Sequence, residues 1–501
     1  MDEIKQQFKK DFEDANKVEL SFDTDQLEAN SKKTRHKVKP YKKGLIIFVS
    51  TMATLFLVVA IPASIFLASS LKSQESVKLR KRNYTINEIN VAQANTFEKL
   101  NNVYYANAEH PTQTELTAEE KTAYNSFSNT TYHSLVDTSK KDNMSYSAIG
   151  LYSLINEMSE AASREELKGR FNMLLGLNKD SRLSFYGKVL KANSFARESA
   201  TIQLRNGAFF HNKYQYSPSY VDYLTSLSCE AYRLDFSKDA DKIVEWVNEA
   251  VNSRGFIDKD FLEMDSETQL YLFSTLYFKN AWANKYLSKD NVKDDFYLAN
   301  GETVKADYMN HSYMVESYYD YESYIAVKDY YYGGYASVTY LVPKKTNDDI
   351  FELTKDVNIF EDKESNKVTP SEEHERIKVN FKTPKFSLKA DIDFKKCLSN
   401  LGFADIFNPT IDSFKNAFQD ENLTSYNIYA QKIKQRNEVE FNEDGSVVKS
   451  VTLGGFAGKS AAPNRQMDAL DVNLNQPFIY IIRDVNETPI FVGHVDNPTK
   501  A

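Results

Sequence analysis

Cysteine is scarce. Cys229 and Cys397 are the only two in 501 residues, so at most one bridge can form, no disulfide framework holds the chain, and two buried free thiols are expected. Tryptophan also occurs only twice, glycine 16 times and proline 12 times, which excludes collagen-like and Pro/Gly-rich low-complexity classes. The seven histidines, His36, His110, His133, His211, His311, His374 and His494, are scattered. No two share the spacing of metal ligands on a helix or hairpin, so no zinc site is expected. A formal net charge of -8 argues against a general nucleic-acid binder. No internal repeat is visible.

What is abundant points to a large folded body. Hydrophobic residues make up 42% and charged residues 26%, and phenylalanine and tyrosine number 32 each, enough for a broad aromatic core. The length suits one large domain with additions. One addition is plain: residues 44–71, GLIIFVSTMATLFLVVAIPASIFLASSL, hold no charge in 28 residues, and about 20 suffice to span a bilayer as a helix. A cleaved signal peptide would have a shorter apolar stretch nearer the N-terminus, whereas 43 residues precede this one. The stretch therefore reads as an uncleaved transmembrane helix. Seven Lys/Arg lie in 32–43 and five in 72–82, which places the N-terminus in the cytoplasm and the remainder outside the cell. The first 30 residues, with nine acids and four bases, read as a short tail. Residues 72–115 read as a polar stalk.

Beyond it, helical spacing runs through Tyr124, Phe127, Tyr132 and Leu135, then through an apolar helix from about 147. SREELKGRFNMLLGL predicts a helix capped by Ser163, with Glu166 three residues on. SPSYVDYL predicts another, opened by Ser217 and Pro218. DADKIVEWVNEAVNSRG is amphipathic, with Ile243, Trp246 and Val247 on one face and Gly255 ending it. ETQLYLFSTLYFKNAW is a nearly continuous apolar strand, expected at the centre of a sheet covered on both faces. From 294 strands dominate, with Asn300-Gly301 as a hairpin turn, IKVNFKTPKFSLKADI as a strand pair, a short helix opening at Asp393, and PFIYIIRD with PIFVGHV as a closing hairpin. Early helices with mixed long strands give an α+β domain.

The C-terminus, NQPFIYIIRDVNETPIFVGHVDNP, closely resembles the signature of the serpin family of serine protease inhibitors. Further segments follow in serpin order. NMSYSAIGLYSL is similar to the shutter segment and IVEWVNEAV to the helix packed across the main sheet. FSTLYFKNAW is similar to the central strand with its Trp282, TPKFSL and LGFADIF to two further elements, and EFNEDGS to the hinge of the reactive-centre loop. The match spans about 118–499. It implies a serpin-like fold with a large mixed central sheet, smaller sheets and flanking helices, here preceded by one transmembrane helix. The organisation expected is a cytoplasmic tail (1–43), the membrane helix (44–71), a linker (72–115) and a serpin domain (116–501) whose reactive-centre loop covers about 443–476.

The resemblance implies a suicide substrate. A protease attacks the loop, and the cut loop inserts into the main sheet as a new strand, gaining ladder hydrogen bonds and burying one face. Family spacing puts the scissile bond sixteen residues after the hinge glutamate. Counted from Glu443, that is Lys459, followed by Ser460. Lysine suits the acidic specificity pocket of a trypsin-like protease; Arg465 is the rival site. The hinge comprises Glu443, Asp444, Gly445, Ser446, Val448, Ser450 and Thr452. From Ser446 onward one strand face carries small or β-branched residues and no charge, while Lys449 falls on the other, so Ser446 is expected to be the first side chain to enter once the loop is cut.

Departures from the family pattern are local. Val-Val-Lys-Ser-Val stands where inhibitory members have alanines. The shutter and breach positions are Ser147, Ser274, Trp282 and Gln435; Ser147-Ala148-Ile149-Gly150 replaces Ser-Pro-x-Ser, Ser274 replaces an asparagine, and Gln435 stands where the family has a histidine. GFAGKS (455–460) ends like a phosphate-binding loop, but that motif needs a glycine five residues before the Gly-Lys pair, where Leu453 stands, and Pro463 blocks the helix. Lys188, Lys191 and Arg197 are too sparse for a glycosaminoglycan site. No catalytic grouping stands out, so no enzyme activity and no cofactor are expected. The partners expected are a protease cutting after Lys or Arg and the membrane, with no nucleic acid, and the protein is expected to be a monomer. The alternative is a non-inhibitory serpin acting as a cell-surface binding protein.

Overall fold

The computed structural model describes residues 97–105, 108–139, 142–264, 267–346, 348–372, 374–419, 427–447 and 469–500. The expected membrane helix at 44–71 lies outside the described residues. Among the described residues no helix is long and apolar enough to cross a membrane.

Several helices open at a side-chain cap. Helix α1 (Ala118–Ser139) opens with a capping box: the Glu120 N–H donates to Thr117 Oγ1 (3.1 Å) and the Thr117 N–H to the Glu120 carboxylate (2.7 Å). Helix α2 (Ala148–Ala161) is buried nearly all round, as a helix through the centre of a core must be. Helix α3 (Glu165–Leu175) begins one residue later than expected. Arg164 is its N-cap, without a side-chain bond. Ser163 Oγ instead donates to the Asp412 carbonyl and accepts from the Lys415 N–H, tying a distant loop. Helix α4 (Lys179–Ala192), capped by Asn178, had no clear signal because its buried Arg182 interrupts the apolar face. Helix α5 (Pro218–Ser226) starts at its proline. Helix α6 (Phe236–Ala250) buries Ile243, Trp246 and Val247 as expected, but ends at Ala250, well before Gly255.

The main sheet contains β1 (Glu98–Lys99), β3 (Ser194–Ala196), β4 (Ala200–His211), β5 (Cys229–Leu234), β6 (Leu270–Asn280), β14 (Phe386–Asp393), β15 (Lys434–Asn442) and β16 (Gly445–Val447). Its order is β1-β5-β4-β6-β16-β15-β14, with β3 beside β4. A second sheet runs β12-β9-β10-β11-β18-β19-β2, using Lys367–Val368, Tyr318–Asp320, Tyr324–Tyr330, Ala336–Pro343, Phe478–Asp484, Pro489–Val495 and Met144–Tyr146. A third runs β17-β13-β8-β7, using Ala469–Asn473, Ile377–Pro384, Thr303–Val315 and Val292–Tyr297. The closing hairpin forms as β18 against β19. The expected strand pair at 377–393 does not pair: β13 lies in the third sheet and β14 in the main sheet. Lys385 alone joins them, too short a link for a hairpin, so the chain passes from one sheet to the other.

Strand β6 is covered on both faces, which explains its unbroken apolar run. Leu276 and Phe278 face the large core that contains α2. Tyr271 and Phe273 pack against the smaller cluster under α6. Residues 97–105 lie along the outer edge of this sheet. Glu98 and Lys99 pair with Arg233 and Tyr232 of β5. Lys99 Nζ donates to Glu230 (2.6 Å), which also accepts from Trp246 Nε1 (2.6 Å) and Arg205 (3.0 Å). Covering an edge strand removes a template for pairing with other chains.

Candidate functional site

At the upper end of the main sheet the chain leaves β15 at Asn442, turns, and folds back as β16 between β15 and β6. Ser446 lies opposite Phe441 on one side and Asn280 on the other, and Val447 opposite Glu440 and Lys279. The turn depends on Gly445. Its φ is +144°, and a Cβ there would collide with the Asn280 carbonyl oxygen and the Ala281 backbone. Trp282 Nε1 donates to the Asn442 carbonyl (2.8 Å), and its ring stacks on Tyr331 at 4.7 Å. Glu443 accepts from Asn291 Nδ2 and, at 3.2 Å, from Lys385 Nζ. Burial alone would raise its carboxyl; the hydrogen bonds from its own backbone, Asn291 and Lys385 outweigh that and hold it below the ordinary value.

Ser446 is 1% exposed, and its Oγ accepts a hydrogen bond from the Tyr331 hydroxyl at 2.6 Å. The expectation that this side chain enters the sheet only after cleavage is therefore corrected: it is already lodged there in the uncut chain. The physical reason is local. Glycine lets the turn close, Tyr331 supplies a partner for the hydroxyl, and both neighbouring strands have free ladder positions at that height.

Below Val447 no described strand lies between β6 and β15, and among the described residues the sheet joins them only through β16. A narrow cleft of about 70 Å³ follows, walled by Phe273–Leu276 and by Lys434–Glu438, with Ser147, Gly150 and Phe491 on its core side. Gln435 bridges to α2 on that side: its Oε1 accepts from the Ser147 N–H (2.7 Å) and its Nε2 donates to the Ser147 carbonyl (3.3 Å). Ser147 Oγ caps α2 through the Gly150 N–H and donates to the Ile490 carbonyl, both at 3.1 Å. Gly150 leaves room for this, since a Cβ would stand 3.0 Å from Gln435 Nε2. Asn437, which sequence reasoning missed, donates to the Ser145 carbonyl and to Gln435 Oε1. Its only sequence signal is its place on the strand face that also carries Val439 and Phe441. Ser274 stays apart across the cleft, its buried Oγ without a hydrogen-bond partner. So the structure joins Ser147 to Gln435, keeps Trp282 at the hinge, and leaves Ser274 on the far wall.

Residues 122–498 match the model of the family described as Serpin (serine protease inhibitor). The chain belongs to the serpin family. Serpin-Z2A of Triticum aestivum is 27% identical over 393 residues, 72% of this chain and 92% of that one. Alpha-1-antiproteinase of Bos taurus is 24% identical over 382 residues, 74% of this chain and 86% of that one. The fold is that of the thermophilic serpin tengpin in its native state, with a TM-score of 0.63 at 19% identity over 78% of this chain and 97% of tengpin. This serpin is a member of a family of protease inhibitors, not of catalysts. Glu443, Asp444, Gly445 and Ser446 are the described part of the expected hinge. Val448, Ser450, Thr452, Lys459, Ser460 and the rival Arg465 lie outside the described residues. Both cysteines are buried and unbridged, and burial pushes the Cys397 thiol up to about 11. Among the described residues no group of His, Cys, Asp and Glu could hold a metal ion.

Proposed function

We propose that this serpin is a suicide-substrate inhibitor of serine proteases that cut after lysine or arginine, held at a membrane by residues 44–71 with the inhibitory domain outside the cell. The observation that carries the reading is Ser446, buried between β6 and β15, with no described strand at the next positions between them. Cleavage at Lys459–Ser460 releases the chain that follows Ser446 to continue as the missing strand. Each added residue pairs with strands on both sides, and Val448, Ser450 and Thr452 bury no charge. Insertion carries the acylated protease with the loop and distorts it before water can release it.

The test is incubation with trypsin, followed by a denaturing gel and N-terminal sequencing. A complex that survives denaturation and a released fragment beginning at Ser460 are expected, and Lys459→Ala abolishes both. A new N-terminus at Gln466 moves the reactive residue to Arg465. Cleavage without any complex, and without a gain in stability of the cut chain, overturns inhibition and leaves a non-inhibitory binding protein.

A further inference from the structure

A pile of rings runs from the third sheet to the hinge. His311 of β8 stacks on Tyr286 at 3.9 Å, Tyr286 meets the edge of Trp282 at 5.4 Å, and Trp282 lies flat on Tyr331, whose hydroxyl holds Ser446. Beside His311 and Tyr286 is Asp329 of β10, fully buried. Its carboxylate accepts from the Tyr330 N–H (2.9 Å) and from the Tyr286 hydroxyl (3.1 Å), so both of its oxygens act as acceptors. His311 Nε2 stands 3.0 Å from Asp329 Oδ2, at ion-pair distance but without hydrogen-bond geometry, and its Nδ1 lies 3.1 Å from the Asn284 carbonyl. Both ring nitrogens therefore face oxygen acceptors. A neutral imidazole has one N–H, and only the imidazolium puts a proton on each nitrogen. The His311 side chain is 4% exposed, so two charges answer each other where neither is well solvated. The other titratable groups around Asp329 are Tyr313, Tyr330, Tyr331 and Tyr340. Burial raises these four hydroxyls and that of Tyr286, so all five keep their protons. Asp290, Lys382 and Asp471 line the open groove beside His311.

We propose that His311 is a proton-controlled latch on the hinge: charged, it pairs with Asp329 and steadies the rings that hold Tyr331 against Ser446; neutral, it leaves that grip weaker. The physical reason is the buried carboxylate. When the imidazolium gives up its proton, Asp329 keeps its bonds from Tyr330 and Tyr286 but loses its counter-charge, and a buried unpaired charge is costly. The strain falls on Tyr286, which touches His311, Asp329 and Trp282 at once. Trp282 in turn donates to the Asn442 carbonyl and stacks on Tyr331. The coupling runs through groups in contact from the groove to the hinge. Histidine is the residue type that changes charge between about pH 5 and pH 8, so the grip on Ser446 tightens as pH falls across that range. The inference concerns the uncut chain and stands apart from what the loop does after cleavage.

The experiment follows amide hydrogen exchange in the uncut, full-length chain at about pH 5 and about pH 8. Mass analysis reads the protection of the hinge peptide 440–447, corrected for the intrinsic exchange rate at each pH. The β5 peptide 229–234 is the reference for the rest of the main sheet. In the parent, hinge protection should be several-fold greater at the lower pH while the reference holds steady. His311→Gln, which cannot carry the charge, should show the weaker protection at both values. Ser446→Ala removes only the acceptor of the Tyr331 hydroxyl from an otherwise unchanged core, and it should lose the pH dependence too. A parent hinge equally protected at both values overturns the latch, and that result needs no variant. The same several-fold change in His311→Gln assigns it to another group, and the same change in Ser446→Ala shows that it does not act through Tyr331; either one overturns the proposal.

Discussion

His494 shows how a single side chain sets a pH limit. It is fully buried, its Nε2–H donates to the Asp142 carbonyl at 2.6 Å, and burial, only partly offset by that bond, lowers it from 6.5 to about 4. Its folded value lies below its unfolded one. The stability it contributes is therefore whole above pH 6.5 and lost as pH falls towards 4, by on the order of a few kcal/mol. Asp484, raised by burial from 3.8 to about 6, works the other way, since the folded state holds its proton more tightly. His494→Gln should flatten the fall between pH 6.5 and 4, read as the difference between unfolding midpoints of variant and parent; an unchanged slope means another group governs acid lability. Ser446 is the second telling residue. Because it is already inside the sheet, Ser446→Arg should expel the hinge from the uncut chain as well as stall insertion. Cleavage at the loop should persist while the protease stays active, and Lys449→Glu, on the opposite strand face, should still inhibit. Equal inhibition by Ser446→Arg and the parent would falsify loop insertion.

At the scale of elements, β15 and α2 are joined by few groups for so central a contact. Gln435 satisfies both the N–H and the carbonyl of Ser147, at the very residue that caps α2. Gln435→Ala should leave that N–H unpaired in a buried place, costing about 1–3 kcal/mol, and loosen the wall of the slot. A lowered unfolding midpoint, together with faster spontaneous loss of inhibitory activity on warming, is expected. A variant as stable as the parent means that the Asn437 bond to Ser145 suffices. Much of this was readable in advance. Ser147 and Gln435 were legible as shutter positions through the family resemblance. Their bonding was not, since they stand 288 residues apart and a glutamine can donate, accept or do both. The cap of α3 was misread for a similar reason: Ser163 has the right chemistry, but a loop at 412–415 competes for its hydroxyl.

For the whole molecule, the main sheet has no described strand between β6 and β15 below the short β16. Two long strands are held at a distance by a three-residue wedge, and the chain able to fill the gap leaves from that wedge. The proposed insertion is compatible with the proposed tether, since it would move the loop within the domain alone. External protease applied to intact cells should remove the domain and spare the tail before residue 44. Protection of the domain, or its release as a mature form without residues 44–71, would contradict the proposed topology.

The amino-acid order alone determined the family, the α+β class, the apolar run at 44–71, the covered central strand and the uncharged face that begins at Ser446. The family follows from its C-terminal signature and the motifs in order; the rest follow from local periodicity, because a strand repeats every two residues and an apolar helix declares itself by length. Tertiary structure alone decided that Ser446 is buried before any cut, that Asn437 belongs with Ser147 and Gln435, and that β13 and β14 part into different sheets. Those facts depend on register between distant strands. Register is set by which side chains meet across the sheet, and no single segment carries that information.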